Sequence, residues 1–454
     1  MSQNLIHIPK EEIRHPNGYH SDPLGFTFFW KGHFLRGIHP QSVEYAKRYF
    51  DCGFIEEVCS KGLFPKTWIS QYESEEFGMI IEHEVVTPNI YSTDWSFSML
   101  KDAALLVLEM AKIGKKYGYN MIDCHKLNIM FQNSKPIYVD LGSFILTEKG
   151  TSAWRPYLSF LRSYYFILSM WNAGAGQFAK RLMTPGVECN EKDYYVFKRP
   201  VWRCFPNILN RYLAAKTTLH SFAATDNENI VNKVAHSNIL IRKSVIIGKI
   251  IVNILKPLSS QRQWSMNLLG WKIKRMSISK IQIASSPSDS LKNIATYLDE
   301  FLADCQKATV FGVKQAADFK LIFDNSQIRH IIAINESAID SENVYKGVQR
   351  LNLPVTCTYF KLAEGNLLLR NRFPEQRLSS DISIVLSYTI GDGERGIYSA
   401  DWFIKERLLY SNSHIMLLHT TTLRPDLINH LSAIYDIKVK EVEKGGAMIF
   451  IEER

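Results

Sequence analysis

The sequence predicts two differently built halves, an α+β module followed by an α/β domain, and three observations predict it. At 454 residues the chain is longer than one ordinary hydrophobic core supports, so two or three domains are expected. From residue 290 onward strand and helix patterns alternate, the signature of a parallel sheet. Before that, short paired strands give way to long apolar helical runs with a strand–loop–strand stretch between them. The expected partition is 1–220, a helical connector over 221–289, and 290–454.

Taken in order, LGFTFFWKGHFLRGI (24–38) reads as two short strands around a turn at Lys31, Gly32 and His33. SVEYAKRYFDCGFIEEVC (42–59) reads as one helix, and FGMIIEHEVVTP (77–88) as an Ile/Val-rich strand closed by proline. A long helix follows over 95–118, with a basic last turn and Gly118 in the C-cap position. WRPYLSFLRSYYFILSMW (154–171) is a second, aromatic-rich helix. In 238–258, Arg242, Lys249, Asn253 and Lys256 fall within about 60° of one another at 100° per residue, leaving a wide apolar face. That helix either packs on a core or lies on an anionic membrane surface. KIQIASSPSDS (280–290) is the best linker. Helices at 291–306, 341–351 and 401–410 then alternate with strands at 308–313, 329–334, 354–360, 381–389 and 414–420.

Residues 119–144 read YNMIDCHKLNIMFQNSKPIYVDLGSF. Asp123 and Asn128 stand five apart, and a strand, a turn and a second strand lead to Asp140, two residues before Gly142. Phosphoryl transfer of the kinase type needs one carboxylate to take the proton of the attacking hydroxyl. It also needs an Asn oxygen and a second carboxylate to hold Mg²⁺ against the phosphates. Over residues 20–190 the chain resembles the protein-kinase fold, with D-L-G (140–142) in the place of the kinase D-F-G. The resemblance implies Asp123 as the base or hydroxyl-orienting residue, Asn128 and Asp140 as metal ligands, Gly142 beside the phosphates, and Mg²⁺ with ATP as cofactors. Arg36 with Glu44 is read as the phosphate-binding cation and its helix partner, with Lys31 as the competing cation. Met121 stands where the catalytic-loop His would be, and no Gly-rich loop precedes the first strands. A hairpin with polar turn residues is the plainer reading of the same stretch.

The second half resembles class I S-adenosylmethionine (SAM)-dependent methyltransferases. The whole chain resembles a bacterial two-module family of such enzymes that includes nodulation-associated homologues. The residues that carry this are DPLGF (22–26), WSFSMLKDAALLVLE (95–109), NIMF with PIYVDLGSF (128–144), IIAINES (331–337) and LRNR (369–372). It implies a kinase-like N-terminal module followed by a Rossmann-like domain, with SAM bound near Gly312, Asn335 and Glu336. Gly312 is the single glycine of VFGVKQAADF (310–319), Lys314 stands near the turn, and Asn335 and Lys361 replace acids. YTIGDG (388–393) keeps Asp392. Lost carboxylate hydrogen bonds and a cation beside a sulfonium predict a degenerate cofactor site.

The formal charge of +9 favours an anionic partner, and nucleic-acid binding has no support beyond that charge. Seven scattered cysteines without a C-x-x-C pair argue against a disulfide framework or a zinc site. With no apolar signal segment at the N-terminus, a cytoplasmic protein is expected, peripheral to the inner membrane if 238–258 is a surface helix. The expected function is Mg-ATP-dependent phosphotransfer to a sugar, glycan or small-molecule hydroxyl. The alternatives are SAM-dependent methyl transfer to a glycan or small metabolite, and a non-catalytic binding or scaffold protein.

Overall fold

A computed structural model describes residues 5–15, 22–88, 90–147, 154–184, 187–191, 193–194, 264–278 and 286–454. Within the last range it leaves out 289–290, 293–294, 336, 360–379, 389–402, 406, 409–410, 412–414, 421–423 and 443–445. The predicted helix at 238–258 and most of the connector lie outside the described residues, as do Glu336, Lys361 and Asp392.

The first half opens with a short strand β1 (Ile6–His7), then β2 (Gly25–Trp30) and β3 (His33–Ile38). β2 and β3 pair antiparallel through a two-residue turn at Lys31 and Gly32, whose φ values of 46° and 87° fit the strand twist. The predicted helix over 42–59 is two helices, α1 (Val43–Asp51) and α2 (Phe54–Ser60). Gly53, at φ 81°, breaks the run by taking the left-handed conformation. β4 (Thr67–Ile69) and β6 (Met79–His83) complete a four-stranded sheet of order β2-β3-β6-β4, and β5 (Tyr72–Glu73) pairs with β1 in a separate two-stranded parallel sheet.

The long helix α3 (Phe97–Lys116) starts where the Ser96 side chain accepts from the Met99 amide, and it buries most of its length. After it β7 (Tyr119–Met121) leads to a hairpin of β8 (Ile129–Gln132) and β9 (Lys135–Tyr138), and β10 (Phe144–Leu146) returns antiparallel to β7. The aromatic helix is α4 (Tyr157–Phe160) and α5 (Phe166–Asn172) joined by a π turn over Leu161–Tyr165, with α6 (Gly176–Arg181) after it. α7 (Met266–Lys274) packs on α3.

The second half is a seven-stranded, doubly wound Rossmann-like sheet. Its strands are β11 (Lys307–Phe311), β12 (His330–Asn335), β13 (Val355–Tyr359), β14 (Ile382–Tyr388), β15 (Ile415–Thr420), β16 (Tyr435–Val442) and β17 (Gly446–Glu453). They lie in the order β13-β12-β11-β14-β15-β17-β16. The first five in sequence are parallel, as the alternation predicts, and each predicted strand lies within two residues of its expected ends. β17 enters antiparallel between β15 and β16, which the parallel-sheet expectation did not include. α8 (Leu298–Leu302), α9 (Ala317–Asp324), α10 (Ala338–Leu351) and α11 (Pro425–Ile434) flank the sheet. The five inner strands are apolar on both faces, and one hydrophobic cluster runs from α3 through α10 into this sheet. The two halves therefore share a core.

Candidate functional sites

The N-terminal cluster forms where the small sheet meets the β8–β9 hairpin. β3 carries Arg36, whose side chain is 7% exposed, and hydrogen bonding to β2 and β6 fixes its direction. Its guanidinium donates to Asp22 at 2.6 Å and to Asp140 at 3.4 Å. Asp140 also accepts from the Gly142 amide at 3.0 Å and from the Ser143 hydroxyl. The Asn128 amide donates to that hydroxyl at 3.3 Å and to the Tyr138 hydroxyl at 3.4 Å, and Tyr138 in turn donates to the Asp123 carbonyl at 3.0 Å. The Asp123 carboxylate accepts from the His125 amide at 3.0 Å and stays partly exposed. Asn128, Asp140 and Gly142 are thus linked around the Ser143 hydroxyl and the Asp140 carboxylate, and Asp123 joins them through its main-chain carbonyl.

Two sequence assignments need correction. Glu44 does not pair with Arg36: it lies on α1 with its side chain 88% exposed, bonded to Lys47 three residues on. The partner is Asp22, because the chain entering β2 lays that carboxylate across β3 and anchors it on the Leu24 amide at 2.9 Å. Lys31 sits at the hairpin tip, exposed and 3.8 Å from Glu12, away from the cluster. A Cβ at Gly142 would come 2.6 Å from an Asp22 carboxylate oxygen, so Gly142 leaves room for Asp22 to lie against the D-L-G turn. Neither Asp22, within DPLGF, nor Ser143 carries a local sequence signal for its place in the cluster. Among the described residues no group of three His, Cys, Asp or Glu side chains is placed to hold a metal.

The second candidate site lies at the carboxyl ends of β11, β12 and β14, where the strand order reverses and doubly wound sheets take their ligands. β11 ends at Phe311, and Gly312 follows at φ 70°, exposed, with open space where a side chain would stand. Asn335 ends β12 and is 1% exposed, and its amide nitrogen has no hydrogen-bond partner. Lys314 is exposed. From the first half, Lys180 of α6 donates to the carbonyls of Trp95 and of Tyr359, the last residue of β13, each at 2.8 Å.

The halves are also fastened away from both sites. The tip of the β8–β9 hairpin, Asn133 and Ser134 at φ 48° and 57°, reaches the edge strand β13. The Ser134 hydroxyl donates to the Val355 carbonyl at 2.7 Å and accepts from the Cys357 amide at 3.2 Å. Asp102 of α3 accepts from Tyr345, Lys346 and Gln349 of α10. Glu342 of α10 accepts the Ser98 amide in the first turn of α3.

No family model matches the sequence, and no curated protein matches it, so the two-module family resemblance has no counterpart there. Solved structures do resemble part of the chain. One is TrmK of M. capricolum in complex with S-adenosylhomocysteine, at 14% identity and TM-score 0.27, covering 37% of this chain and 69% of that one. A methyltransferase from Pyrococcus furiosus gives 12% identity and TM-score 0.29 over 41% of this chain and 96% of that one. Human methyltransferase-like protein 13 with S-adenosylhomocysteine gives 12% and 0.26 over 36% and 78%. These are likenesses over a minority of the chain.

Proposed function

We propose that the Rossmann-like domain binds SAM and that the protein transfers its methyl group to a glycan or small-metabolite acceptor. The observation that carries this is the buried, unpartnered amide of Asn335 at the carboxyl end of the second strand, beside the strand-order switch point. Leaving a buried donor unpaired costs about 1–3 kcal/mol, and of the eleven unpartnered buried side-chain atoms among the described residues Asn335 Nδ2 is the one at the end of β12. A ribose diol meets that need, since the Asn oxygen accepts from one hydroxyl while the nitrogen donates to the other. Asn335 in place of an acid therefore keeps two hydrogen bonds and loses only charge assistance, about 1–2 kcal/mol. Lys314 is exposed, and water screens its charge against a cationic ligand. Gly312 leaves backbone open to approach from outside the sheet. The cofactor, when bound, supplies an electrophilic methyl group. Calorimetric titration with SAM should show saturable binding, at least tenfold weaker in Asn335→Ala. No heat and no thermal shift with the wild type would remove the reading.

A second reading, Mg-ATP-dependent phosphotransfer to a sugar, glycan or small-molecule hydroxyl, is favoured by the convergence of Arg36, Asn128 and Asp140. Against it stands Asp22, which already holds the guanidinium that a phosphate would need. On this reading Mg²⁺ with ATP raises the melting temperature, Asp140→Asn abolishes the rise, and Asp123→Asn stops turnover while sparing nucleotide binding.

A further inference from the structure

The net positive charge of the chain comes from one stretch. Residues 229–288 hold ten Lys or Arg and no Asp or Glu, whereas the other 44 Lys and Arg are matched by all 45 Asp and Glu. The whole excess of +9 therefore comes from this stretch, which is also rich in Ile, Leu and Val. α7 is the helix within it whose side chains are placed. Its inner residues Leu269 and Ile273 are fully buried, and Lys101 of α3 fastens its end by donating to the carbonyls of Lys274 and Met276 at 2.9 and 2.8 Å. Its outer side carries Leu268 and Trp271 three residues apart, 39% and 53% exposed. The Arg275 guanidinium lies 4.3 Å from the Trp271 ring centre, and the Lys272 ammonium 3.7 Å from that of Trp264.

An aliphatic side chain and a tryptophan left in water on a helix surrounded by cations suit a bilayer interface. There the indole sits at headgroup level, and lysine and arginine reach the phosphates. A cavity of about 610 Å³ opens beside Trp271 between α7, α3 and β9, lined by Leu105 and Leu108 as well as Lys61 and Lys112. Glu109 and Asp102 also line it. Asp102 is already bonded to Lys346 at 3.1 Å, and Glu109 lies 3.9 Å from Lys112.

We propose that α7 docks the protein on an anionic lipid surface, with Trp271 and Leu268 entering the headgroup layer and Lys272, Lys274 and Arg275 binding lipid phosphates. A nucleic acid would satisfy the cations, but its bases and phosphates offer no apolar layer for Leu268. The inference stands whether or not SAM is bound.

Flotation of the full-length protein with phosphatidylcholine vesicles, alone or mixed with phosphatidylglycerol, tests it. The wild type should float only with the anionic vesicles and be released by high salt. Lys274→Glu with Arg275→Glu should reduce binding on the order of 100-fold, since each cation near an anionic surface contributes about fivefold and reversal also repels. Leu268→Ser with Trp271→Ser should reduce it roughly tenfold through lost apolar burial. All four side chains are exposed, so melting temperatures should match the wild type. If one pair does lower the melt, the other decides. Failure of the wild type to float overturns the proposal, as do variants that float like the wild type. A protein that retards a single-stranded oligonucleotide but ignores vesicles also overturns it.

Discussion

The N-terminal cluster and the C-terminal crevice differ in how far their polar groups satisfy one another. Arg36 has a carboxylate on each side, and Asp140 takes three donors, from Arg36, Gly142 and Ser143. Among the buried atoms of that cluster the Arg36 Nε lacks a partner, but the other two guanidinium nitrogens are both engaged. Asn335, as deeply buried, leaves its donor unused. A cluster that satisfies itself stabilises the fold without a ligand, and a ligand must first break its contacts. A crevice with an orphaned donor adds little to stability and gains when a partner arrives. Equivalent-looking site residues thus sort into a clasp between the small sheet and the hairpin, and a place with binding capacity to spare.

Removing the guanidinium should give the largest effect. Arg36→Met leaves Asp22 and Asp140 facing each other without a cation, where each retains only about a quarter of its side-chain exposure. Breaking such a pair from one side costs about 3 kcal/mol, read as a lower urea midpoint. A loss below about 0.5 kcal/mol would mean that the cluster does not act as a clasp. Ser134→Ala tests the second fastening. That hydroxyl is fully buried, and its loss strands the Cys357 amide on the sheet edge, so about 2 kcal/mol should go.

Acid probes the surroundings of Arg36 more gently. His83 lies on β6 with its ring 2.8 Å from the Thr67 hydroxyl. Burial, and then the charge of Arg36, push its pKa down to about 3. The unfolded imidazole takes a proton near 6.5, so below that pH the unfolded state binds more protons. Stability is therefore complete above pH 6.5 and is lost as pH falls toward 3, by about 1.4 kcal/mol at pH 5.5. His83→Gln should flatten that limb. Arg36→Met should move the His83 titration upward, measured by NMR.

Much of this was legible before the fold. The five-residue spacing of Asp123 and Asn128, the D-L-G turn and the strand–helix alternation are local signals, and local sequence encodes them directly. The Arg36 cluster was not legible, because Asp22 stands 14 positions before Arg36 outside any strand, and only tertiary packing brings the Asp140 turn, 104 positions later, to the same guanidinium. The helix that begins five positions after the end of β3 made Glu44 the nearer candidate, but the Glu44 side chain faces water. The break at Gly53 was missed because both flanking segments keep an apolar face, and only the left-handed glycine separates them. The antiparallel β17 escaped because a two-sided apolar strand reads the same in either direction.

Asn335→Ala should show the smallest change in stability, and it bears most directly on the contrast between the two sites. The wild type keeps a buried donor unpaired, which costs about 1–3 kcal/mol relative to a satisfied one. Truncation removes that penalty. It also removes packing at the end of β12 and any bond made by the side-chain oxygen, together about the same size. The two should nearly cancel, leaving the urea midpoint within about 1 kcal/mol of wild type. The same substitution should nonetheless erase most of the thermal stabilisation by SAM, because the ligand's partner is gone while the fold is not. A loss above about 2 kcal/mol without ligand would show that Asn335 is already engaged. The crevice would then be as self-satisfied as the Arg36 cluster, and the contrast between the sites would disappear.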